Sequence, residues 1–250
     1  MPIVCRSKAE IEKLRRSGQL VRRLLEETRQ QVRPGATTLD LEAFVAKRIA
    51  ELGVRAAFKG YRGYPCCLCT SVNHEIIHGI PSPRRRLETG DIVSLDLGVI
   101  LEGYYGDSAL TVPVGEISEP LERLLRVTQE CLELGILQAQ AGQRVGDISA
   151  AVQKHAEGNG YSVVREFVGH GVGRALHEEP QVPNYGKEGR GPVLKEGMVI
   201  AIEPMVNTGG AAVRVLDDQW TAVTVDGGYS AHFEHMVAIT SNGADVLTRT

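Results

Sequence analysis

An ungapped shift of 107 positions lays the second half of this 250-residue chain on the first. Gly35 falls on Gly142, Asp40 on Asp147, Gly53 on Gly160, Gly90 on Gly197 and Asp96 on Glu203. Around the last pair, Glu-Thr-Gly-Asp-Ile-Val-Ser-Leu-Asp (88–96) matches Lys-Glu-Gly-Met-Val-Ile-Ala-Ile-Glu (195–203), so both acids end the same turn-plus-strand unit. Internal self-similarity of this kind restricts the fold before any local propensity is weighed. Two halves related by a pseudo-twofold axis would bring two carboxylates to one centre from opposite sides, and a metal site between them follows. The plainer alternative is chance similarity between two helix-helix-strand units.

The local patterns agree with such halves. Ile11, Leu14, Gly18, Val21, Leu24, Leu25 and Val32 recur at three and four and predict an amphipathic helix that Pro34 and Gly35 stop. A second helix starts near Thr38, turns Leu41, Val45, Ile49 and Leu52 inward and ends at Gly53. Residues 58–83, rich in Gly, Pro, Tyr and Cys, read as irregular strands and loops. Residues 91–101 alternate, with Val93, Leu95, Leu97 and Val99 on one face and Ser94, Asp96 and Gly98 on the other. Helices over 121–137 and 147–159 repeat the pair, and 163–167, 198–202 and 233–239 add strands. The expectation is an α+β single catalytic domain over 1–250, made of halves at about 8–115 and 116–250.

With 42% hydrophobic and 24% charged residues the chain is an ordinary ordered globule. A net charge of −3 supplies no global field for DNA or an anionic membrane. The amino terminus has no apolar signal stretch, which points to a cytoplasmic protein. Cys5, Cys66, Cys67, Cys69 and Cys131 are odd in number and read as free thiols, although Cys66 and Cys69 are spaced as a C-x-x-C zinc clip would be.

The chemistry lies in acids on apolar strands. Asp96 and Glu203 each sit within runs of aliphatic residues, where an ionised carboxylate is costly without a cation or several donors. Asp107 follows the Gly103 to Gly106 turn, so a hairpin can return it to Asp96; Glu234 stands at the start of the last strand, beside His232 and His235. His170 lies in Gly169-His170-Gly171-Val172-Gly173, a glycine loop whose backbone lets other groups approach the imidazole. Mostly oxygen ligands with one imidazole suit hard or borderline divalent ions, and bridging acids can hold a pair about 3.5 Å apart. A structural zinc site would use more Cys and His.

These residues stand in motifs by which the sequence resembles the type I methionine aminopeptidases of the creatinase-like "pita-bread" fold. The motifs are Asn73 with His78-Gly79-Ile80-Pro81, Asp96 to Gly106-Asp107-Ser108, the glycine run with His177-Glu178-Glu179-Pro180, Ile202-Glu203-Pro204, and Phe233-Glu234-His235; the likeness runs from Ile11 to Thr240. The resemblance implies two related halves around a central antiparallel sheet. It implies that Asp96 binds one metal ion, that His170 and Glu203 bind another, and that Asp107 and Glu234 bridge both, the metals being Mn, Fe, Co or Zn. A water between the ions would attack the scissile carbonyl, with Glu203 as general base, His78 near the scissile amide and His177 donating to the carbonyl oxygen. Phe58, Tyr61, Tyr64, Cys69, His78, Leu176 and Trp220 match the side-chain pocket. Bacterial relatives often carry a small thiol or similar residue at Phe58 and Phe at Leu176; a volume exchange between the two positions is one reading, and the pocket's tolerance for residues other than methionine stays open.

By the same likeness the activity is removal of the initiator methionine from peptides and nascent chains, by a protein expected to be a monomer. Arg84, Arg85 and Arg86 then read as a transient ribosome contact, against the default of a solvated loop. Proline-specific peptidases share the five ligands but usually carry an extra amino-terminal domain, whereas here the catalytic likeness begins at about Ile11. The 33 positions from His170 to Glu203 leave no space for the type II insert. A pita-bread binding module without catalysis would have lost ligands, and all five are present.

Overall fold

The computed structural model describes residues 2–249, and it shows why the two halves share their spacing; Met1 and Thr250, the ends of the expected domain, lie outside the described residues. Helix α1 spans Lys8–Arg29, α2 Thr38–Leu52, α3 Glu119–Gln138 and α4 Val145–Gly158. Helices α2 and α4 start 107 positions apart (145 − 38). Their aligned acids do the same work: Asp40 accepts from the Thr37 N–H and Asp147 from the Arg144 N–H, each at 2.7 Å, as the return half of a capping box. Gly53 and Gly160 both take left-handed φ (65° and 83°) to end these helices, a conformation that a Cβ would penalise. Even the isolated bridges correspond, Thr37 with Arg86 and Arg144 with Val193. What the repeat preserves is the set of residues that turn and cap the chain.

Each half contributes an antiparallel sheet. In the first, Ile92–Leu101 pairs with Leu68–Val72 on one side and along its whole length with Tyr104–Pro113 on the other. The turn of this hairpin is Glu102-Gly103, both at positive φ (51° and 79°), the type favoured by strand twist. The expected turn at 103–106 is therefore shorter than the sequence suggests. Gly106 lies within the strand, where a Cβ would come 2.5 Å from the Ser17 carbonyl oxygen of α1, so its role is to let the helix approach. The second sheet runs Gly243–Val246, His235–Thr240, Val199–Ile202, Gly169–Gly171 and Glu178–Val182, all antiparallel.

Two expected strands change here. The one at 163–167 shrinks to Ser162–Val163, and the one at 233–239 splits into Ser230–His232 and His235–Thr240. The split has a covalent cause. Ile202 pairs with His235 and Met205 with His232, so Glu203-Pro204 faces Phe233-Glu234 across one ladder. Pro204 has no N–H to give, and the ladder breaks on both strands at that point. The Glu234 N–H, which points away from Glu203 in this register, donates to the Ala109 carbonyl oxygen (2.9 Å) on the strand of the first half. Glu234 thus lies in a gap between strands, and not at the start of one.

The helices cover the outer faces of the sheets. Val21, Leu24, Leu41 and Val45 bury against Leu95, Leu97 and Val99, while Leu132, Ile136 and Ile148 bury against Ile200, Ile202 and Val237. Each such aliphatic side chain contributes about 1.5–3 kcal/mol on full burial. The inner faces meet through hydroxyls: Ser108 donates to the Glu234 carbonyl oxygen (2.7 Å) and Thr111 to that of His232 (2.8 Å). That seam is where the acids converge. Among the described residues no helix is long and apolar enough to cross a membrane.

Candidate metal centre and pocket

Asp96 and Asp107 reach one face of the hairpin by register. Asp96 pairs with Ala109, and Asp107 lies two residues before Ala109 on the same strand face, so the two carboxylates are diagonal neighbours. Gly98, directly opposite Asp107, leaves space that the Phe58 ring occupies; a Cβ there would stand 2.7 Å from that ring. Glu203 and Glu234 come from the two sides of the ladder break. His170 comes from Gly169–Gly171, which is a strand and not the glycine loop expected from sequence. Its glycines serve sheet packing, since a Cβ on Gly169 would lie 2.4 Å from the Ala201 carbonyl oxygen and one on Gly171 2.2 Å from that of Glu179.

The imidazole of His170 is oriented by its own backbone. Nδ1–H donates to the Gly171 carbonyl oxygen at 2.9 Å, which leaves a lone pair on Nε2. That nitrogen faces Glu203 Oε1 at 3.5 Å and Asp107 Oδ2 at 3.8 Å. Burial drives the ring's pKa down to about 3, with His177 lowering it further against the opposing Gly171 bond, so the ring is neutral. Ligand atoms of Asp107, His170 and Glu234 all lie within 4.8 Å of one another. Asp107, Glu203 and Glu234 are buried, and Asp96 is partly open to the cavity.

No Lys or Arg among the described residues forms an ion pair with any of these four acids. Burial raises Asp96 to about 7 and Glu203 to about 8, and lifts Asp107 and Glu234 well above the carboxylate range; mutual repulsion adds to the effect for Asp96, Asp107 and Glu234. Asp96 Oδ1, Asp107 Oδ1 and Glu234 Oε1 are buried without a hydrogen-bond partner. Unsatisfied carboxylate oxygens around an imidazole lone pair are what a divalent cation would complete, so the residues fit a metal centre.

The same cavity is lined by Phe58, Tyr61, Tyr64, Cys69, His78, Leu176, His177 and Trp220, together with Arg62 and all five candidate ligands. Phe58, Tyr64, Cys69 and Leu176 form one buried cluster against which Tyr61 and Trp220 pack. Tyr64 meets Trp220 edge-on at 5.1 Å, and the Tyr64 hydroxyl donates to the Leu68 and Gly79 carbonyl oxygens (3.1 and 3.0 Å). The ring of His177 stands 4.3 Å from that of His170, and Tyr61 Oη lies 2.7 Å from its Nδ1. With Tyr61 as the donor, neutral His177 carries its proton on Nε2. His78 packs between Phe167 and Trp220, and burial lowers it to about 4, with His232 and His177 adding to the shift.

Residues 12–241 match metallopeptidase family M24. The methionine aminopeptidase 1 of Bacillus subtilis is 49% identical over 247 residues, which cover 99% of both chains. The chain belongs to metallopeptidase family M24, among its methionine aminopeptidases. A solved methionine aminopeptidase from Thermotoga maritima superposes with a TM-score of 0.98 at 48% identity over the whole of both chains. A prolidase from Pyrococcus furiosus superposes with a TM-score of 0.79 at 25% identity, over 99% of this chain and 66% of the prolidase. The pita-bread fold of this M24 peptidase is thus shared with proline-specific relatives.

Three residues of this M24 chain escape a reading of its sequence. Arg62 lines the cavity between two aromatic positions that were readable, and nothing in its spacing marks it. Arg6 forms an ion pair with Glu178, 172 positions away, with side chains only 7% and 9% exposed. Glu178 also accepts from the Arg174 and Ala175 N–H groups (2.9 and 3.1 Å), and so fixes the loop that carries Leu176 and His177. His232 lies 3.6 Å from Glu203, and its period-two relation to Glu234 was the signal available in the sequence.

Proposed function

We propose that this metallopeptidase removes amino-terminal methionine from peptides and nascent chains, with Asp96, Asp107, His170, Glu203 and Glu234 holding two divalent ions. The carrying observation is the convergence of four acids without a Lys or Arg counter-charge on the free lone pair of His170. Bound divalent ions would supply Lewis-acid charge to activate a water and polarise the scissile carbonyl.

The chain's own groups account for the rest of the reaction. Glu203, buried and lining the cavity between the imidazoles of His170 and His232, can take the proton from water and pass it towards the leaving amine. His177, held through Nδ1 by Tyr61, directs Nε2–H towards the scissile carbonyl oxygen as an oxyanion donor. His78, neutral between Phe167 and Trp220, contacts the substrate near the scissile amide. Phe58, Tyr64, Cys69, Leu176 and Trp220 exclude water and accept an unbranched thioether side chain.

The deciding assay is release of methionine from Met-Ala-Ser after chelation and re-addition of Mn, Fe, Co or Zn, alongside an Xaa-Pro peptide. Metal-restored cleavage of Met-Ala-Ser, its absence in Asp107→Ala and little turnover of Xaa-Pro are expected. Metal-independent cleavage, or preference for Xaa-Pro, would refute the reading. The five free thiols suit the reducing cytoplasm, where a monomeric single domain of two halves would meet emerging chains. A transient ribosome contact would fall chiefly to exposed Arg84, because Arg86 donates to the Gly35 carbonyl oxygen and Arg85 is half-buried. Salt-insensitive ribosome binding unchanged in Arg84→Ala would remove that contact.

A further inference from the structure

His232 is fully buried, yet neither of its ring nitrogens has a hydrogen-bond partner. A core histidine kept only for packing normally satisfies its ring, so the pair of orphaned nitrogens calls for a function. The backbone leaves the ring little freedom. The His232 N–H donates to Thr111 Oγ1 at 2.9 Å, its carbonyl oxygen accepts from the same hydroxyl at 2.8 Å, and its strand pairs with Met205. From that fixed position Nε2 lies 3.6 Å from Glu203 Oε2, while the other oxygen of Glu203 lies 3.5 Å from His170 Nε2. The carboxylate is therefore flanked by two imidazoles, one at each oxygen.

The two imidazoles cannot play the same part. His170 gives its proton to Gly171 and presents a lone pair, as a ligand should. No backbone carbonyl takes the proton of His232, so a proton on its Nε2 has Glu203 Oε2 as the facing acceptor. We propose that His232 is a positioning residue that donates Nε2–H to Glu203 Oε2, fixing the carboxylate so that Oε1 is presented to the ion shared with His170. The inference rests on the metal-site reading above and adds to it the residue that orients its general base. Partners of this kind behind a ligand set ligand direction, and their loss typically lowers metal affinity or activity ten- to a hundredfold.

The test compares His232→Gln, which keeps an N–H donor of similar reach, with His232→Leu, which fills the space without one. Calorimetric titration of the metal-free full chain with Mn(II) needs no turnover. Affinity should fall roughly ten- to a hundredfold in His232→Leu and return to within about threefold of wild type in His232→Gln. With Met-Ala-Ser, kcat should follow the same order with KM nearly constant. If His232→Leu does not fold, His232→Asn, whose amide stops short of Glu203, takes its place with the same expected loss. Wild-type affinity in the donor-free variant overturns the inference, as does a Gln variant no better than Leu, which would mark an imidazole bound to metal directly. A wild type that binds no Mn(II) overturns both this inference and the metal-site reading, whereas binding without methionine release refutes only the proposed activity.

Discussion

Chelation should leave a protein whose stability falls as pH rises from 6.5 to 8. A carboxyl whose folded pKa is raised contributes stability that is complete below its unfolded pKa and is lost as pH climbs through the folded one. Asp96 moves from 3.8 to about 7 and Glu203 from 4.5 to about 8. Across the window both are already ionised in the unfolded chain, while the folded chain holds most of these protons at pH 6.5 and gives up about two-thirds of them by pH 8. At about 1.4 kcal/mol per pH unit for each proton held, integration gives a loss of about 2 kcal/mol from these two groups. Asp107 and Glu234, raised further, each add up to about 2 kcal/mol more over the same interval.

The histidines offset part of this slope. Burial lowers His170 and His235 to about 3 and His78 to about 4, and lowers His74, His177 and His232 as well. As the unfolded imidazoles give up their half-share of protons, each returns up to about 0.4 kcal/mol between pH 6.5 and 8, so the net fall needs Asp107 and Glu234 beside Asp96 and Glu203. For a chain of this length about 2 kcal/mol corresponds to a fall in melting temperature of about 4–8 °C. Scanning calorimetry of chelator-stripped protein at pH 6.5 and 8 reads it directly. The Mn(II)-loaded protein should show the opposite trend, because deprotonated ligands bind metal more tightly. A metal-free melting temperature that is flat or rising across the window would refute the argument that these acids are held together uncompensated.

Arg6→Ala should destabilise the fold by about 3–5 kcal/mol, because it leaves Glu178 buried without its partner, and should raise KM for Met-Ala-Ser through the loosened loop at Leu176 and His177; thermal melts and steady-state kinetics check both parts, and an unchanged KM would detach Arg6 from the site. Leu176→Phe adds volume to a filled cluster, and should cost about 1–3 kcal/mol and weaken methionine binding, whereas Phe58→Cys in the same chain should restore both. Equal defects in the single and double variants would show that Phe58 and Leu176 do not share the space.

The four acids and the imidazole were legible because each violates its surroundings: a charged group in an aliphatic run needs a compensating partner wherever the chain goes. The repeat was legible for a different reason, since Asp40 and Asp147, or Gly53 and Gly160, act within a few residues of themselves. Contacts across the chain leave no such local mark. The glycines flanking His170 were read as a loop because sequence periodicity cannot register a neighbouring strand 2.2 Å from an absent Cβ. Arg6 was unreadable because its partner is 172 positions away.

Pro204 lies between these cases, and it shows how the site arises. A proline directly after an acid in a strand is visible in the sequence, but its effect is doubled by a register that is not. Because Glu203-Pro204 faces Phe233-Glu234, one missing N–H interrupts two strands at once. It thereby frees two carboxylates beside the hairpin that carries Asp96 and Asp107. On the outward side of the same stretch the Glu234 N–H is taken by Ala109 of the other half. The break is what lets carboxylates from both halves face one another.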